Sequence, residues 1–224
     1  MTTKRAAALA AIALALLPRQ ALAQQAETDR LAEAARVLEE VLTAPDKGVP
    51  QSIIEKAQAI VVIPSTVKGA LVIGAQHGRG VMSAKSAAGW SAPAFVTLTG
   101  GSLGMQIGGQ ATDIMLVVVN ERGITNLAQN TFKIGGDASV AAGPVGREAT
   151  ASTDYRLQAQ ILSYSRSRGL FAGVSLTGST IRADREANER IYGVGYSTRN
   201  IVVERKVEPT AAADPWLKVV KEKM

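Results

Sequence analysis

The stretch GGSLGMQIGGQATDIMLVVV, residues 100–119, indicates the fold of this chain. In its first half Leu103, Met105 and Ile107 alternate with glycine or glutamine, which is the two-residue period of a β-strand. Its second half, residues 114–119, is continuously apolar, as expected for a strand that is covered on both faces. Together they predict a curved sheet, with the glycines at turns or bulges where a β-carbon would clash.

Glycine-rich stretches can also hold phosphate groups, but this one lacks the residues that such a site needs. A P-loop ends in Gly-Lys-Ser/Thr, and a dinucleotide-binding G-x-G-x-x-G lies between a strand and a helix. Neither arrangement occurs here. We therefore interpret these glycines as structural.

Strand-like runs extend from Gly69 to about Ile181, separated by Gly, Ser, Asn and Pro. One helix, between residues 121 and 129, interrupts them. A short strand over Ile60–Ile63 is expected before them, ending at Pro64. The clearest runs are ALVIGA, GVMSA, AFVTLTG, LGMQIGGQ, IMLVVV, ASVAAG, QILSYS and GLFAGVSLTG.

Helices are predicted on both sides of this region. From Glu27 to Thr43 apolar residues recur at helical spacing, and the polar face has five acidic residues but only two arginines. That balance opposes contact with anionic lipid and favours a helix docked on its own domain. Further helices are expected at residues 51–59, in DREANERIYG and from about Asp214. The predicted fold class is α+β: a curved, mostly antiparallel β-sheet, barrel- or sandwich-like, with N-terminal helices and short helices packed over its ends.

The N terminus has the composition of a secretory signal. Lys4 and Arg5 precede an apolar run of about a dozen residues, and Ala21-Leu22-Ala23 fits an A-x-A cleavage site. The run is shorter than the roughly 20 residues that a spanning helix needs. We expect a signal peptide at 1–23 cleaved near Ala23, an N-terminal helix and turn at 24–49, one domain at 50–199, and a C-terminal extension with a short helix at 200–224.

Charge and cysteine content narrow the function classes. The chain has no cysteine, so the exported protein has no disulfides. It has 25 lysines and arginines and 19 acidic residues; removal of residues 1–23 takes away three cations and no acid, which leaves an excess of three. So small an excess argues against a dedicated nucleic-acid binder. We expect a periplasmic or secreted protein that is soluble or peripherally membrane-associated.

The sequence does not support a catalytic or metal site. His77 is the only histidine, so sites built on paired histidines or cysteines are excluded, and no D-x-D-x-D-G loop occurs. A Ser-His-Asp triad would need His77, but no G-x-S-x-G turn is present, and we interpret His77 as a hairpin residue. Asp113 precedes the apolar run, where structural capping is favoured over a site role. No enzyme activity, cofactor or metal is predicted.

Arginines are concentrated between residues 147 and 199, where eight occur with five acidic residues. Arg166 and Arg168 share strand parity and could project from one face, and their planar guanidinium groups suit phosphate or carboxylate. Two interpretations stay open: solvated or ion-paired arginines, or a site for an anionic headgroup.

Several separated blocks, taken together, resemble a known domain. They are IPSTVKGALVIGAQHGRGVM, GWSAPAFVTLTGGSLGMQIGGQATDIMLVV, AGPVGR, YSRSRGLFAGVSLTGSTI and a final YG. Their order and spacing, over roughly residues 50 to 195, resemble the SYLF domain. This is a lipid-binding domain of bacterial exported proteins and of eukaryotic regulators of membrane and actin dynamics.

The resemblance implies a non-enzymatic domain that binds phospholipid, with phosphoinositides the ligands usually named for the eukaryotic members. Thr177 stands where the family often has an acidic residue, so a role for that carboxylate does not transfer. A net acidic helix also replaces the amphipathic segment that eukaryotic relatives use partly for membrane contact. The matching positions are Lys68, Trp90, Pro93, Gly143 to Arg147 and Gly169 to Gly173.

We therefore expect binding of an anionic phospholipid or a related amphiphile in the bacterial cell envelope, with an apolar groove or sheet face for the acyl part. Ordinary anionic phospholipids, lipid A-like phosphates or fatty acyl chains are the candidate ligands. The alternatives are an envelope scaffold that binds protein partners through its first helix, and a secreted hydrolase. No nucleic-acid partner is expected. Headgroup contacts are assigned to Lys68, Arg79, Arg147, Arg166 and Arg168.

Overall fold

The computed structural model describes residues 24–43, 48–69, 74–102, 110–137, 139–145, 159–167 and 170–224. Within them the chain forms six α-helices and ten strands. The helices are α1 (24–43), α2 (Gln51–Lys56), α3 (Glu121–Leu127), α4 (Arg185–Tyr192), α5 (Thr198–Val202) and α6 (Asp214–Lys223). The strands are β1 (Ala59–Gly69), β2 (Gly74–Ser86), β3 (Gly89–Trp90), β4 (Ala94–Ser102), β5 (Gln110–Val118), β6 (Thr131–Lys133), β7 (Val140–Ala142), β8 (Ile161–Ser167), β9 (Leu170–Gly173) and β10 (Ser179–Ala183).

Eight of these strands lie side by side in the order β6-β10-β4-β2-β1-β5-β8-β7, while β3 pairs with β2 and β9 with β8. Among the described strands, β7 and β8 are parallel and the other pairs are antiparallel. The sheet curls strongly into a half-barrel. This confirms the predicted fold class.

The central strands of the sheet are buried on both faces, towards which successive side chains of a strand point in turn. Ile60 and Val62 of β1 pack in one apolar layer with residues of α1 and α6, and we call this side the outer face. Val61 and Ile63 pack in a second layer on the opposite side, with residues of α3 and α5, and we call this side the inner face. Two-sided burial explains why the central strands β1 and β5 are continuously apolar over much of their length.

Local signals set the helix ends. The side chain of Asn120 accepts a hydrogen bond from the third residue of α3, and Asp184 does the same for α4. Ser197 and Asn200 form a reciprocal capping box at α5, a five-residue helix that its sequence pattern did not predict. None of the described helices combines the length and apolar character needed to cross a membrane.

Two predictions about β1 and β2 are wrong. Strand β1 does not end at Pro64 but continues to Gly69 through a bulge, and His77 lies inside β2 rather than in a hairpin turn. Strand β2 passes so close to β1 at Gly80 that a β-carbon there would lie only 2.2 Å from the carbonyl oxygen of Val62. The glycines of AQHGRG therefore permit close strand approach instead of a turn.

Some of the predicted strand runs fall outside the described residues. Residues 70–73 of ALVIGA and residues 103–109 of LGMQIGGQ lie there, so the alternation from which the fold was inferred is not tested directly. The neighbouring strand ends are described, and β4 and β5 flank that segment. The apolar run of β5 has the predicted position inside the sheet, between β1 and β8.

Candidate functional site

A β-bulge in β1 lies in the polar part of the outer face. The register of β1 on β5 shifts between Ile63 and Thr66, so that Pro64 and Ser65 stand opposite the single residue Asp113. Ser65 has a φ of 47°, in the left-handed region that is uncommon for a residue other than glycine. Its N–H donates to Asp113 Oδ1 at 2.9 Å. The carboxylate thus holds the bulge, which confirms the structural role predicted for Asp113.

Arg166 on β8 ties this bulge to helix α1. It faces Asp113 in the ladder, with 2.9 Å between its Nη2 and Asp113 Oδ2, and its Nη1 forms an ion pair with Glu40. Arg36 of α1 binds both Glu40 and Glu33. Burial lowers the pKa of the Arg166 guanidinium, and the nearby Arg36 cation lowers it further. Two arginines here meet three carboxylates, so this part of the outer face has no excess positive charge.

Arg79 on β2 lies on the other side of the bulge from Arg166. It pairs with Thr97 on β4, Thr97 with Arg182 on β10, and Arg182 with Thr131 on β6. Residues directly opposite in an antiparallel ladder share a face. These side chains therefore continue, across the outer face, the line that begins at Arg166, and we call this line the transverse row.

A second row runs beside the transverse row on β2, β4, β10 and β6. Each of its residues is two positions away from the residue of the transverse row on the same strand. The eight residues of the two rows on β2, β4, β6 and β10 form what we call the cationic face: His77, Arg79, Thr97, Thr99, Thr131, Lys133, Thr180 and Arg182. The side chains of Arg79, Lys133 and Arg182 are exposed and make no ion pair or hydrogen bond with any part of the chain that the structure describes. None of the eight is acidic, and Asp137 accepts the backbone N–H of Lys133 beside them, so the uncompensated positive charge of this half lies at Arg79 and Arg182.

A buried charge network holds α1 on the sheet beside the cationic face. Glu27 is fully buried, and Arg30 is 8% exposed. Arg30 Nη1 lies 2.9 Å from Asp184 Oδ2, and Arg190 Nη2 lies 2.9 Å from Glu27 Oε1. The guanidinium of Arg30 is also 5.2 Å from the centre of the Phe95 ring. Because these charges are desolvated and mutually paired, α1 is firmly attached, as its acidic polar face predicted.

The five predicted headgroup residues have different environments. Arg79 is exposed on the cationic face and Arg166 is paired with carboxylates. The backbone of Lys68 lies in β1, in register with Gln76 and Gln110, but the structure does not describe its side chain. Arg147 and Arg168 lie outside the described residues altogether. The structure therefore brings Arg79 and Arg166 onto one row and leaves the grouping of all five as a prediction.

The topology relates several of these positions. Strand β1 is antiparallel to β5, β5 is antiparallel to β8, and β8 is parallel to β7. The strands β1, β7 and β8 therefore run in the same direction and end at the same edge of the sheet. Lys68 is next to last in β1, and Arg166 is next to last in β8.

Sequence reasoning missed Arg182 and Lys133 as neighbours of Arg79. Arg182 is 103 positions from Arg79 in the sequence, and only the register through Thr97 connects them. The one signal available was strand parity within STIRA, where Thr180 and Arg182 share a face.

A cavity of about 750 Å³ opens at the opposite end of the sheet from Lys68 and Arg166. Apolar side chains such as Ile124 and Val202 line it together with groups of both charges, including Lys56 and Glu121. Among the described residues, no three His, Asp or Glu side chains converge to hold a metal ion. Among these arrangements the cationic face is the one with an excess of one charge, and it can attract anions and donate hydrogen bonds to them.

Comparison with known proteins agrees with the sequence blocks described above. Residues 99–223 match the family model "Ysc84: Las17-binding protein actin regulator". The chain is 33% identical over 182 residues to "Protein YSC84" of Saccharomyces cerevisiae, which covers 80% of the chain and 38% of that protein. It is 35% identical over 168 residues to "SH3 domain-containing YSC84-like protein 1" of Xenopus laevis, covering 72% of the chain and 50% of that protein. The human protein of the same name is 30% identical over 194 residues, 85% of the chain and 56% of its own length. The chain thus spans about half, or less, of the length of these relatives.

Proposed function

Since this chain belongs to the Ysc84 family, which confirms the SYLF resemblance, we propose that it is a non-enzymatic binding module for anionic phospholipid or a related amphiphile in the bacterial cell envelope. The relatives are named for binding and regulation rather than for a reaction, which favours a module without catalysis. The signal-like residues 1–23 support export to the envelope.

The observation that carries this proposal is the cationic face, whose exposed Arg79 makes no ion pair or hydrogen bond with the parts of the chain that the structure describes. Lys68 and Arg166 are next to last in β1 and β8, which end on the same side of the sheet, but Arg166 is already engaged by Asp113 and Glu40. Arg79 lies on the same transverse row as Arg166. Lysine and arginine near an anionic bilayer each favour binding by about 1 kcal/mol.

The position of the large cavity favours binding at the bilayer surface over extraction of a lipid. The cavity lies beyond Ala57 and Gln58, just before β1 begins, whereas Lys68 lies near its end. At about 3.3 Å per residue these positions are about 30 Å apart. One lipid could not place its headgroup at Lys68 and its acyl chain in that cavity, so the headgroup contacts act on a membrane surface.

The test is co-sedimentation of the chain starting at residue 24, which contains all of the described core, with vesicles. Vesicles of phosphatidylcholine alone serve as the control for vesicles that also contain phosphatidylglycerol. The proposal expects sedimentation with the anionic vesicles and little with the neutral ones. Equal binding to both would overturn the headgroup model.

A protein-interaction module is the second candidate, favoured by the printed names of the relatives, which include "LAS seventeen-binding protein 3". For this chain the partner would be an envelope protein that binds the exposed face of α1. The apolar stripe of α1 is buried, so deletion of the helix would disrupt the core and would not be a clean test. Pull-down with exposed-face variants such as Asp29→Lys and Glu39→Lys tests this candidate, with Arg122→Glu, at an exposed position of α3, as the control.

A further inference from the structure

We infer that the cationic face is the surface that docks on the anionic bilayer, with Arg79 and Arg182 as its main phosphate contacts. This inference rests on the proposed function and names the part of the molecule that performs it. It moves the contact away from Arg166 and adds three cationic or titratable residues that sequence reasoning did not assign: His77, Lys133 and Arg182.

The composition of the cationic face fits phosphate oxygens. Its arginines present planar forks that can bind a phosphate with two hydrogen bonds, and its four threonines offer hydroxyl donors between them. Neighbouring strands are about 4.8 Å apart, so Arg79 and Arg182, two strands apart, are separated by about 10 Å. Each can therefore contact a different headgroup on a broad anionic surface.

The two halves of the transverse row differ in charge. At one end Arg166 is engaged by Asp113 and Glu40, and a phosphate there would meet carboxylates already in place. At the other end Arg79 and Arg182 have no acidic partner in the described parts of the chain. Asp184, which follows β10 and caps α4, is already paired with Arg30. The free charge, and hence the attraction for an anionic surface, lies on the Arg79 side.

An exposed apolar residue lies in the loop between α4 and α5, which reaches the end of β10 just after Arg182. Val194 is 84% exposed, and it stands between Gly193 and Gly195, which both have positive φ angles of 90° and 98°. Gly195 lines a cavity of about 210 Å³ together with Ala183 and Asn130, the residues next to Arg182 and Thr131 in the sequence. At a bilayer surface an exposed apolar side chain such as Val194 can enter the boundary between headgroups and acyl chains. A soluble polyanion offers no apolar region for this side chain to contact.

The experiment measures vesicle partition of two double variants of the chain from residue 24. Arg79→Ala with Arg182→Ala removes two charges from the cationic face, and Arg122→Ala with Lys218→Ala removes two exposed charges from α3 and α6. On phosphatidylglycerol-containing vesicles at low salt the first pair is expected to weaken partition about 30-fold, from the usual contribution of a basic residue near an anionic surface. The second pair is expected to change it less than about threefold. Val194→Ser is expected to weaken partition further, with a loss that salt does not abolish.

The outcomes separate this inference from the proposed function. If the unmodified chain binds no anionic vesicle, both are overturned. If it binds and the two double variants lose affinity equally, the cationic face is not the docking surface, although the proposed function stands. Inorganic phosphate should displace the chain no better than chloride at equal ionic strength; stronger displacement would indicate a discrete phosphate site and would overturn docking on a bilayer. Urea unfolding of each variant verifies that the fold is intact, as expected for exposed side chains.

Discussion

Asp113 and Arg166 face each other across the ladder between β5 and β8, with 2.9 Å between Oδ2 and Nη2. The same carboxylate accepts the N–H of Ser65 in the β1 bulge, and the same guanidinium reaches Glu40 of α1. One cross-strand pair therefore connects the irregular part of the central strand to the helix that covers the outer face. Its loss is expected to affect stability more than binding.

Replacing Asp113 should destabilise the fold. Asp113→Ala leaves the Ser65 N–H without its acceptor and takes one carboxylate from Arg166, and we expect the free energy of unfolding to fall by about 2–4 kcal/mol. Urea denaturation followed by tryptophan fluorescence measures the change. Glu39→Ala, at an exposed position of α1, should change it by less than about 0.5 kcal/mol. Equal effects of the two variants would contradict a structural role for Asp113.

The buried network beneath α1 should be more sensitive still. Glu27→Gln keeps the shape of the side chain but removes the charge that faces Arg190 and Arg30, and the expected loss is about 3–5 kcal/mol in the free energy of unfolding. Glu33→Gln makes the same chemical change in an exposed pair with Arg36 and should cost less than about 1 kcal/mol. Chemical denaturation of both variants gives the comparison. A similar small loss in each would mean that α1 is not held by buried charge.

Close approach of β1 and β2 requires glycine at position 80. Gly80→Ala would put a β-carbon 2.2 Å from the backbone oxygen of Val62, so the strands must separate, and thermal unfolding should occur at a clearly lower temperature. In Gly136→Ala the nearest heavy atom is 3.7 Å away, which is an ordinary contact, and we expect little change. Matching melting temperatures for the two variants would refute this strand geometry.

Glu204 should titrate far below the usual range of a glutamate. Hydrogen bonds from Lys206, then Asn200, lower its pKa from 4.5 to about 2. Because the pKa is lower in the folded state, these contacts stabilise the fold above about pH 4.5, and their contribution is lost as the pH falls from there to about 2. NMR titration of the side-chain carboxyl carbon measures the value directly. Lys206→Ala should raise it, whereas Lys218→Ala should leave it unchanged; a value near 4.5 in the unmodified protein would exclude the predicted contacts.

The type and approximate bounds of a helix or strand were predictable where its apolar residues recur regularly along the whole element. The apolar run of β5, the helix in DREANERIYG and the helix that begins at Asp214 all have the expected type and nearly the expected bounds. Burial on one or both faces leaves a period in such segments that is visible without tertiary information. The docked position of α1 was also predictable, because its polar face was too acidic for a lipid surface.

The remaining features depend on contacts between distant residues. Pro64 predicts the end of a strand because proline lacks an N–H, yet β1 tolerates it in a bulge that Asp113 holds from the neighbouring strand. Arg166 and Arg79 were chosen by residue type, and their different charge environments follow from the ladder register. Arg182 was not assigned at all, since its position beside Arg79 requires the pairing of β10 with β4.

The most direct test of the account is the salt dependence of vesicle binding by the unmodified chain. Raising the ionic strength from about 0.1 M to about 1 M shortens the screening length from about 10 Å to about 3 Å. Binding through anionic headgroups predicts that partition onto phosphatidylglycerol-containing vesicles falls steeply over this range, towards the low level expected with phosphatidylcholine alone. Partition that is independent of both salt and phosphatidylglycerol would contradict binding to anionic phospholipid.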